Sequence, residues 1–200
     1  LICLCYPELP EDTTKEITHK IVMNCQRMET LVKNLLTLAD IENLPQSQKE
    51  RCDLSFQAQD CISMVSTLKD EMNIKLNDTA GGKCEVMADP DLLNLAIINL
   101  LQNAIKYSLA VPHIEVTIQK VGDKLQMLIT DNGIGIPAKD LPHIFERFYT
   151  VDKARSRKLG GAGLGLSIVK IIIEKLSATI SVDSNLGEGT TFTLEFPKAP

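Results

Sequence analysis

Two hundred residues, 44% apolar and 24% charged, supply material for one substantial core and are far from a disordered composition. Twenty-one basic against 26 acidic residues leave a net charge of −5, which gives no general basis for wrapping nucleic acid or coating an anionic membrane. The opening Leu1-Ile2-Cys3-Leu4-Cys5 stops at Tyr6-Pro7 without a basic lead-in, so it reads as neither a signal peptide nor a membrane span. A first residue other than Met inside an apolar run reads as a fragment. The six cysteines, at 3, 5, 25, 52, 61 and 84, have no spacing for a zinc site and read as reduced, mostly buried side chains.

Pro7, Pro10 and Pro45 bracket Glu11 to Leu44, a segment free of Pro and Gly. Its apolar residues recur at Ile21, Cys25, Met28, Val32, Leu35 and Ala39 in alternating steps of four and three, a heptad-like seam on a long helix. Ile17, Leu31 and Leu38 widen the stripe. Such a helix needs a partner: a bundle mate, a second copy or the domain that follows. After the polar linker Pro45-Gln46-Ser47-Gln48-Lys49, a short strand is expected at Asp53-Leu54 and a helix over Gln57 to Met72. Ile74 and Leu76, then Cys84, Val86 and Ala88 beyond Ala80-Gly81-Gly82, read as a pair of strands.

Asp89-Pro90-Asp91 is a helix start, with an acidic cap, a proline where the amide is spare and a carboxylate in the first turn. The helix runs to about Tyr107 and is apolar nearly all round, so it should be buried. Asn99, Asn103 and Lys106 point the same way from it. A polar stripe on a buried helix either satisfies itself against backbone or lines a cavity, where amide oxygens suit a hard cation and an ammonium suits phosphate.

Alternating strands follow at Ile114-Val116-Ile118 and Leu125-Met127-Ile129, a helix from Leu164 to Leu176, and a closing hairpin of Ala178-Ile180-Val182 with Phe192-Leu194-Phe196. This order predicts a layered α/β sandwich rather than a doubly wound sheet. Three glycine segments punctuate it. Asp131-Asn132-Gly133-Ile134-Gly135 ends a strand, Gly160-Gly161-Ala162-Gly163-Leu164-Gly165 precedes a helix, and Gly187-Glu188-Gly189-Thr190 turns the hairpin. Glycines at a strand end allow backbone to approach a ligand, and amides at a helix start favour an anion. None matches a P-loop or a dinucleotide fingerprint.

Taken together, these segments resemble the motifs of the sensor histidine kinases. Asn99 to Ser108 is similar to their N-box, and Asp131 to Gly135 to their first glycine box. Ile144-Phe145-Glu146-Arg147-Phe148-Tyr149 is similar to the F-box, Gly161 to Ser167 to the second glycine box, and Gly187 to Thr190 to the third. The resemblance implies a two-layer α/β sandwich with a mixed sheet and helices on one face, the Bergerat or GHKL ATP-binding fold, over residues 46–200. It is preceded by a long bundle-type helix in residues 1–45, similar to the second helix of a dimerisation and phosphotransfer domain.

It also implies roles. Asp131 would meet the adenine amino group, Asn103 would hold Mg²⁺, Lys106 the phosphates, and Tyr107 would lie against the nucleotide, with Thr190 at the adenine end. Gly133, Gly135, Ile136, Gly161, Gly163, Leu164, Gly165 and Leu166 would shape the ATP cavity. Asn99 stands where ATP-hydrolysing relatives carry a glutamate, so the implied reaction is transfer of the γ-phosphoryl group to histidine rather than hydrolysis. Arg147 and, from the basic loop Lys153-Arg155-Arg157-Lys158, Arg155 are candidates to reach that group. Phe145, Phe148 and Tyr149 would pack under the loop. His19, His113 and His143 all lack the family's acceptor context, which places the acceptor outside this chain. The implied partners are dimerisation helices of the same or a second copy, in a homodimer, and a response-regulator receiver domain, in the cytoplasm and with no nucleic acid. A nucleotide-binding module without phosphotransfer, or a GHKL-type ATPase, are the alternatives.

Overall fold

The computed structural model describes residues 11–44, 49–68, 71–152 and 162–199. Its elements are α1 (Glu11–Asn43), β1 (Glu50–Asp53), α2 (Leu54–Val65), β2 (Asn73–Asp78), β3 (Glu85–Ala88), α3 (Pro90–Lys106), β4 (His113–Val121), β5 (Lys124–Asp131), a 3₁₀ turn (Leu141–His143), α4 (Gly165–Lys175), β6 (Thr179–Asn185) and β7 (Gly189–Pro197). Among the described residues no helix is long and apolar enough to cross a membrane.

Five strands form one mixed sheet in the order β2-β4-β5-β7-β6, with β2 parallel to β4 and the other neighbours antiparallel. Alternation sorts its faces. Ile114, Val116 and Ile118 on β4, Leu125, Met127 and Ile129 on β5, and Phe192, Leu194 and Phe196 on β7 are all buried on one side. The helices α2, α3 and α4 cover that side, giving two layers around one core. Asp89 caps α3 by accepting from the amides of Asp91 and Leu92, as its acidic start predicts. The β-branched run of α4 is helical because Ile168, Val169, Ile172 and Ile173 are buried, and packing outweighs the modest propensity penalty.

Three expectations need correction. Asp53 is a helix cap whose side chain accepts from the amides of Ser55 and Phe56, so Leu54 opens α2 and the strand lies before it. The same helix stops at Val65, where the Ser66 hydroxyl turns back to the Ile62 carbonyl, well short of Met72. β2 and β3 are not mates: β3 pairs with β1 in a separate two-stranded sheet, and β2 joins the main sheet beside β4. Among the described residues the cysteines are free thiols and mostly buried, as expected: Cys52, Cys61 and Cys84 are buried and Cys25 is exposed.

The long helix contacts the domain through its flank. Leu38 and Ile41 are buried and Leu31 packs partly against the core, whereas Ile21, Met28, Val32 and Leu35 of the seam stay exposed. The contact is with α4, helped by the Lys175 ammonium donating to the Leu44 carbonyl at 3.1 Å.

Candidate functional site

Three inward-facing apolar stripes end on a polar residue. On β5 the series Leu125, Met127, Ile129 continues to Asp131; on β7 Phe192 gives way to Thr190; on β6 Ile180 and Val182 give way to Ser184. The register sets these ends side by side, Asp131 opposite Thr190 and Thr190 opposite Ser184. The core is thereby polar along one rim, and the polar stripe of α3 faces this rim across a cavity of about 290 Å³. That volume is near the lower end of small-molecule sites.

Asn99, Asn103, Lys106 and Tyr107 line one wall, Asp131, Gly135, Ile136 and Thr190 another, and Gly163, Gly165 and Leu166 a third. The three glycine segments therefore do converge on one helix face, two through their glycines and the third through Thr190. A Cβ on Gly165 would lie 3.2 Å from Asn99 Oδ1 and 3.9 Å from Asn103 Nδ2, so the bare α-carbon keeps room beside the two amides. Asn99 serves both readings of a polar stripe, because its Nδ2 donates to the Leu95 carbonyl at 2.8 Å while the residue lines the cavity.

Burial raises the pKa of Asp131, against the lowering effect of amides from Gly133 and Thr190 that its carboxylate accepts. The Gly133 amide lies 2.7 Å from Oδ1. An acceptor held by backbone at the bottom of a cavity suits an N–H of a ligand. Burial lowers the pKa of Lys106, whose ammonium stands 5.3 Å from the centre of the Tyr107 ring. A desolvated ammonium gains most from an anionic partner.

Other candidates lie elsewhere. Gly133 is behind the wall, where a Cβ would meet Asp131 Oδ1 at 2.7 Å, and Leu164 is a fully buried core residue at the start of α4. Arg147 is not among the lining residues; its guanidinium pairs with Glu42 on α1. Gly161 and Arg155 fall outside the described residues, as does the rest of the basic loop. Phe145 packs edge-on against Phe192 with ring centres 6.5 Å apart. Phe148, expected to pack, is instead 56% exposed with φ +64°. Tyr149 lines the cavity and its hydroxyl donates to Asp140 at 2.5 Å.

Sequence reasoning passed over Thr30, Asn34 and Ser184. Thr30 and Asn34 on α1 reach the cavity wall, which only the docking of that helix reveals. Ser184 holds the first glycine segment to the hairpin, since it accepts from the Ile136 amide at 2.8 Å and donates to the Gly189 carbonyl at 2.7 Å. Its place at the end of the Ile180, Val182 alternation was the available signal.

A sandwich with helices on one face, whose cavity joins an asparagine-lysine stripe to glycine turns and a buried aspartate, defines an ATP-binding module of the GHKL type. Residues 88–200 match the family described as histidine kinase-, DNA gyrase B-, and HSP90-like ATPase. The chain is 35% identical over 192 residues to the sensor-like histidine kinase SenX3 of Mycolicibacterium smegmatis, covering 94% of this chain and 50% of that protein. It is 33% identical over 189 residues to the sensor histidine kinase CusS of Escherichia coli K12, covering 92% of this chain and 38% of that one. A solved mycobacterial sensor histidine kinase, MprB, superposes with a TM-score of 0.66 at 26% identity over 76% of this chain and 99% of its own. The chain belongs to this family, and what it shares with these sensor histidine kinases is their ATP-binding catalytic domain. It spans about half the length, or less, of these curated relatives.

Proposed function

We propose that this chain binds ATP with Mg²⁺ and transfers the γ-phosphoryl group to a histidine nitrogen on a phosphotransfer bundle. The observation that carries the reading is the meeting of Asn99, Asn103 and Lys106 with Asp131, Gly135, Gly165 and Thr190 around one cavity. Asp131 accepts the adenine amino group, Tyr107 and Ile136 flank the nucleotide, and Lys106 neutralises phosphate charge. Asn103 offers its amide oxygen to Mg²⁺, which when bound screens the charge of the phosphate chain. The γ-phosphorus exchanges its bridging oxygen for the histidine nitrogen and ADP leaves. Positioning and charge neutralisation supply most of the acceleration for such a transfer.

Transfer is favoured over hydrolysis because position 99 carries an amide, engaged with the Leu95 carbonyl and without the basicity to activate water. The Leu38 and Ile41 contact and the Glu42–Arg147 pair orient the catalytic part on its helical segment. The exposed seam of α1 is the face for further bundle helices in a homodimer, and a response-regulator receiver domain in the cytoplasm takes the phosphoryl group onward. Arg155 is the candidate to approach the γ-phosphate from the basic loop.

The test incubates the parent chain with γ-labelled ATP and Mg²⁺ and looks for acid-labile, base-stable phosphate. Label on histidine that disappears in Asn103→Ala supports transfer. Tight ATP binding without label favours a regulatory nucleotide-binding module, and rapid release of free phosphate favours an ATPase.

A further inference from the structure

The helices α1 and α4 pack together and meet at their C-terminal ends, where Lys175 donates to the Leu44 carbonyl. Asn34 and Thr30 of α1 line the same cavity as Gly165 at the start of α4. Asn34 to Leu44 and Gly165 to Lys175 are each ten residues, about 15 Å of helix. The two helices therefore run in the same direction, with Asn34 level with the first amides of α4.

Further back on α1, Arg27 shares the direction of Asn34 to within about 20° and stands two turns, about 10 Å, beyond the start of α4. Its Nε is buried, yet it has no hydrogen-bond partner among the described residues. A charged donor shut off from water without an acceptor costs free energy that an acceptor on a ligand recovers. Thr30, between the two, is already engaged, its hydroxyl donating to the Gln26 carbonyl at 3.0 Å. Glu29, the carboxylate on this stretch of the helix, is paired with Lys33. The donors that this face of α1 holds for a ligand are Arg27 and Asn34.

We propose that Arg27 and Asn34 form a subsite for the terminal phosphate, through which the helical segment makes the cavity prefer a nucleoside triphosphate over a diphosphate. The inference rests on the nucleotide reading of the cavity. With the base at the Asp131 and Thr190 end, the phosphate chain runs to the amides that open α4 and, one phosphate further, towards Arg27. Lys106, with Mg²⁺ when it is bound, balances the charge of a diphosphate. The third phosphate adds a negative charge that a further cation, Arg27, meets. A guanidinium suits this task because its fixed fork of donors matches phosphate oxygens, and the Asn34 amide adds a neutral donor beside it.

The experiment measures dissociation constants of ATP and ADP with Mg²⁺ by titration calorimetry, on the full wild-type chain and on its variants. Arg27→Gln should lower the preference for ATP over ADP about tenfold, through the ATP constant alone. Lys20→Gln removes an exposed charge of the same helix, paired with Glu16, and should leave the ratio as it is in wild type. Equal constants in the wild type, an unchanged ratio in Arg27→Gln, a parallel loss of both nucleotides there, or an equal fall in Lys20→Gln each overturns the proposal. If Arg27→Gln does not fold, Asn34→Ala carries the test: the ratio should fall about threefold, and a ratio equal to wild type overturns it. A wild-type chain that binds neither nucleotide defeats the nucleotide reading itself, a result distinct from an unchanged ratio.

Discussion

Gly135→Ala is the sharpest probe of how the first glycine segment is seated. Gly135 has φ +69°, and a Cβ there would lie 2.0 Å from the carbonyl oxygen of Asn185 and 3.0 Å from Leu186 Cα. A carbon and a carbonyl oxygen settle at about 3.3 Å, so the β6–β7 turn would have to retreat by about 1.3 Å. Two hydrogen bonds hold that turn in place, from the Gly187 amide to the Ile134 carbonyl and from the Ile136 amide to Ser184, each 2.8 Å. The left-handed backbone costs alanine about 1–2 kcal/mol and the overlap a further ~1–3 kcal/mol. Gly81→Ala is the internal control, because Gly81 has φ +70° with nothing within 4 Å of its Cβ. It should show the backbone term alone, about 1–2 kcal/mol. The entropy that alanine removes from the unfolded chain is common to both variants and cancels in the comparison. Urea unfolding followed by circular dichroism suits a chain without tryptophan, and Gly135→Ala should be the less stable by ~1–3 kcal/mol. Equal stabilities would refute the close seating of the segment on the hairpin.

Three further outcomes follow from the site and its docking helix. Asn103→Ala should abolish the part of ATP affinity that depends on Mg²⁺, about tenfold or more by calorimetry with and without the metal, while leaving the melting temperature within a few degrees. Because burial raises the Asp131 pKa, ATP affinity should weaken as pH falls through that raised value, a dependence missing from Asp131→Asn. The stability term runs the other way: it is fully present below the unfolded aspartate pKa and is lost as pH rises through the folded value, which thermal melts of the nucleotide-free chain at pH 4 to 7 will read. Leu38→Ala should loosen α1 from α4 at a cost of ~2–4 kcal/mol, seen as increased protease cleavage of α1, whereas Glu42→Gln removes only an exposed pair and should change stability by less than about 1 kcal/mol.

Features governed by neighbouring residues were legible in the sequence. The start of α3 is written in Asp89-Pro90-Asp91, and the strands β4, β5 and β7 follow their alternation. Local rules also misled where two of them competed. Leu54 looked like strand because it is apolar, yet the preceding Asp53 had the chemistry of a cap. β2 and β3 read as a hairpin because a glycine turn joins them, and nothing local reveals that β2 finds a parallel mate 40 residues on. The seam of α1 was visible, but a stripe specifies no occupant, and it is the flank through Leu38 that touches the domain. For the site, the residue types on α3 and the glycine turns were readable, while Ser184 was marked only by its place after Ile180 and Val182, which does not reveal its partners. Arg147 was readable as a cation and not as a partner of Glu42, since that pair spans 105 residues.

The strand order has a consequence for how this domain comes into being. β7 is the last strand in sequence but sits inside the sheet, between β5 and β6. The β2, β4 and β5 ladders can form before that stretch arrives, but β6 has no mate until it does, and Thr190 arrives with it. Assembly of the ATP-binding rim is therefore a late event in folding, dominated by pairings between distant parts of the chain, which are slow to form. Without β7 the apolar faces of β5 and of the covering helices would stay open, so the ability to bind nucleotide reports that this central strand has taken its place.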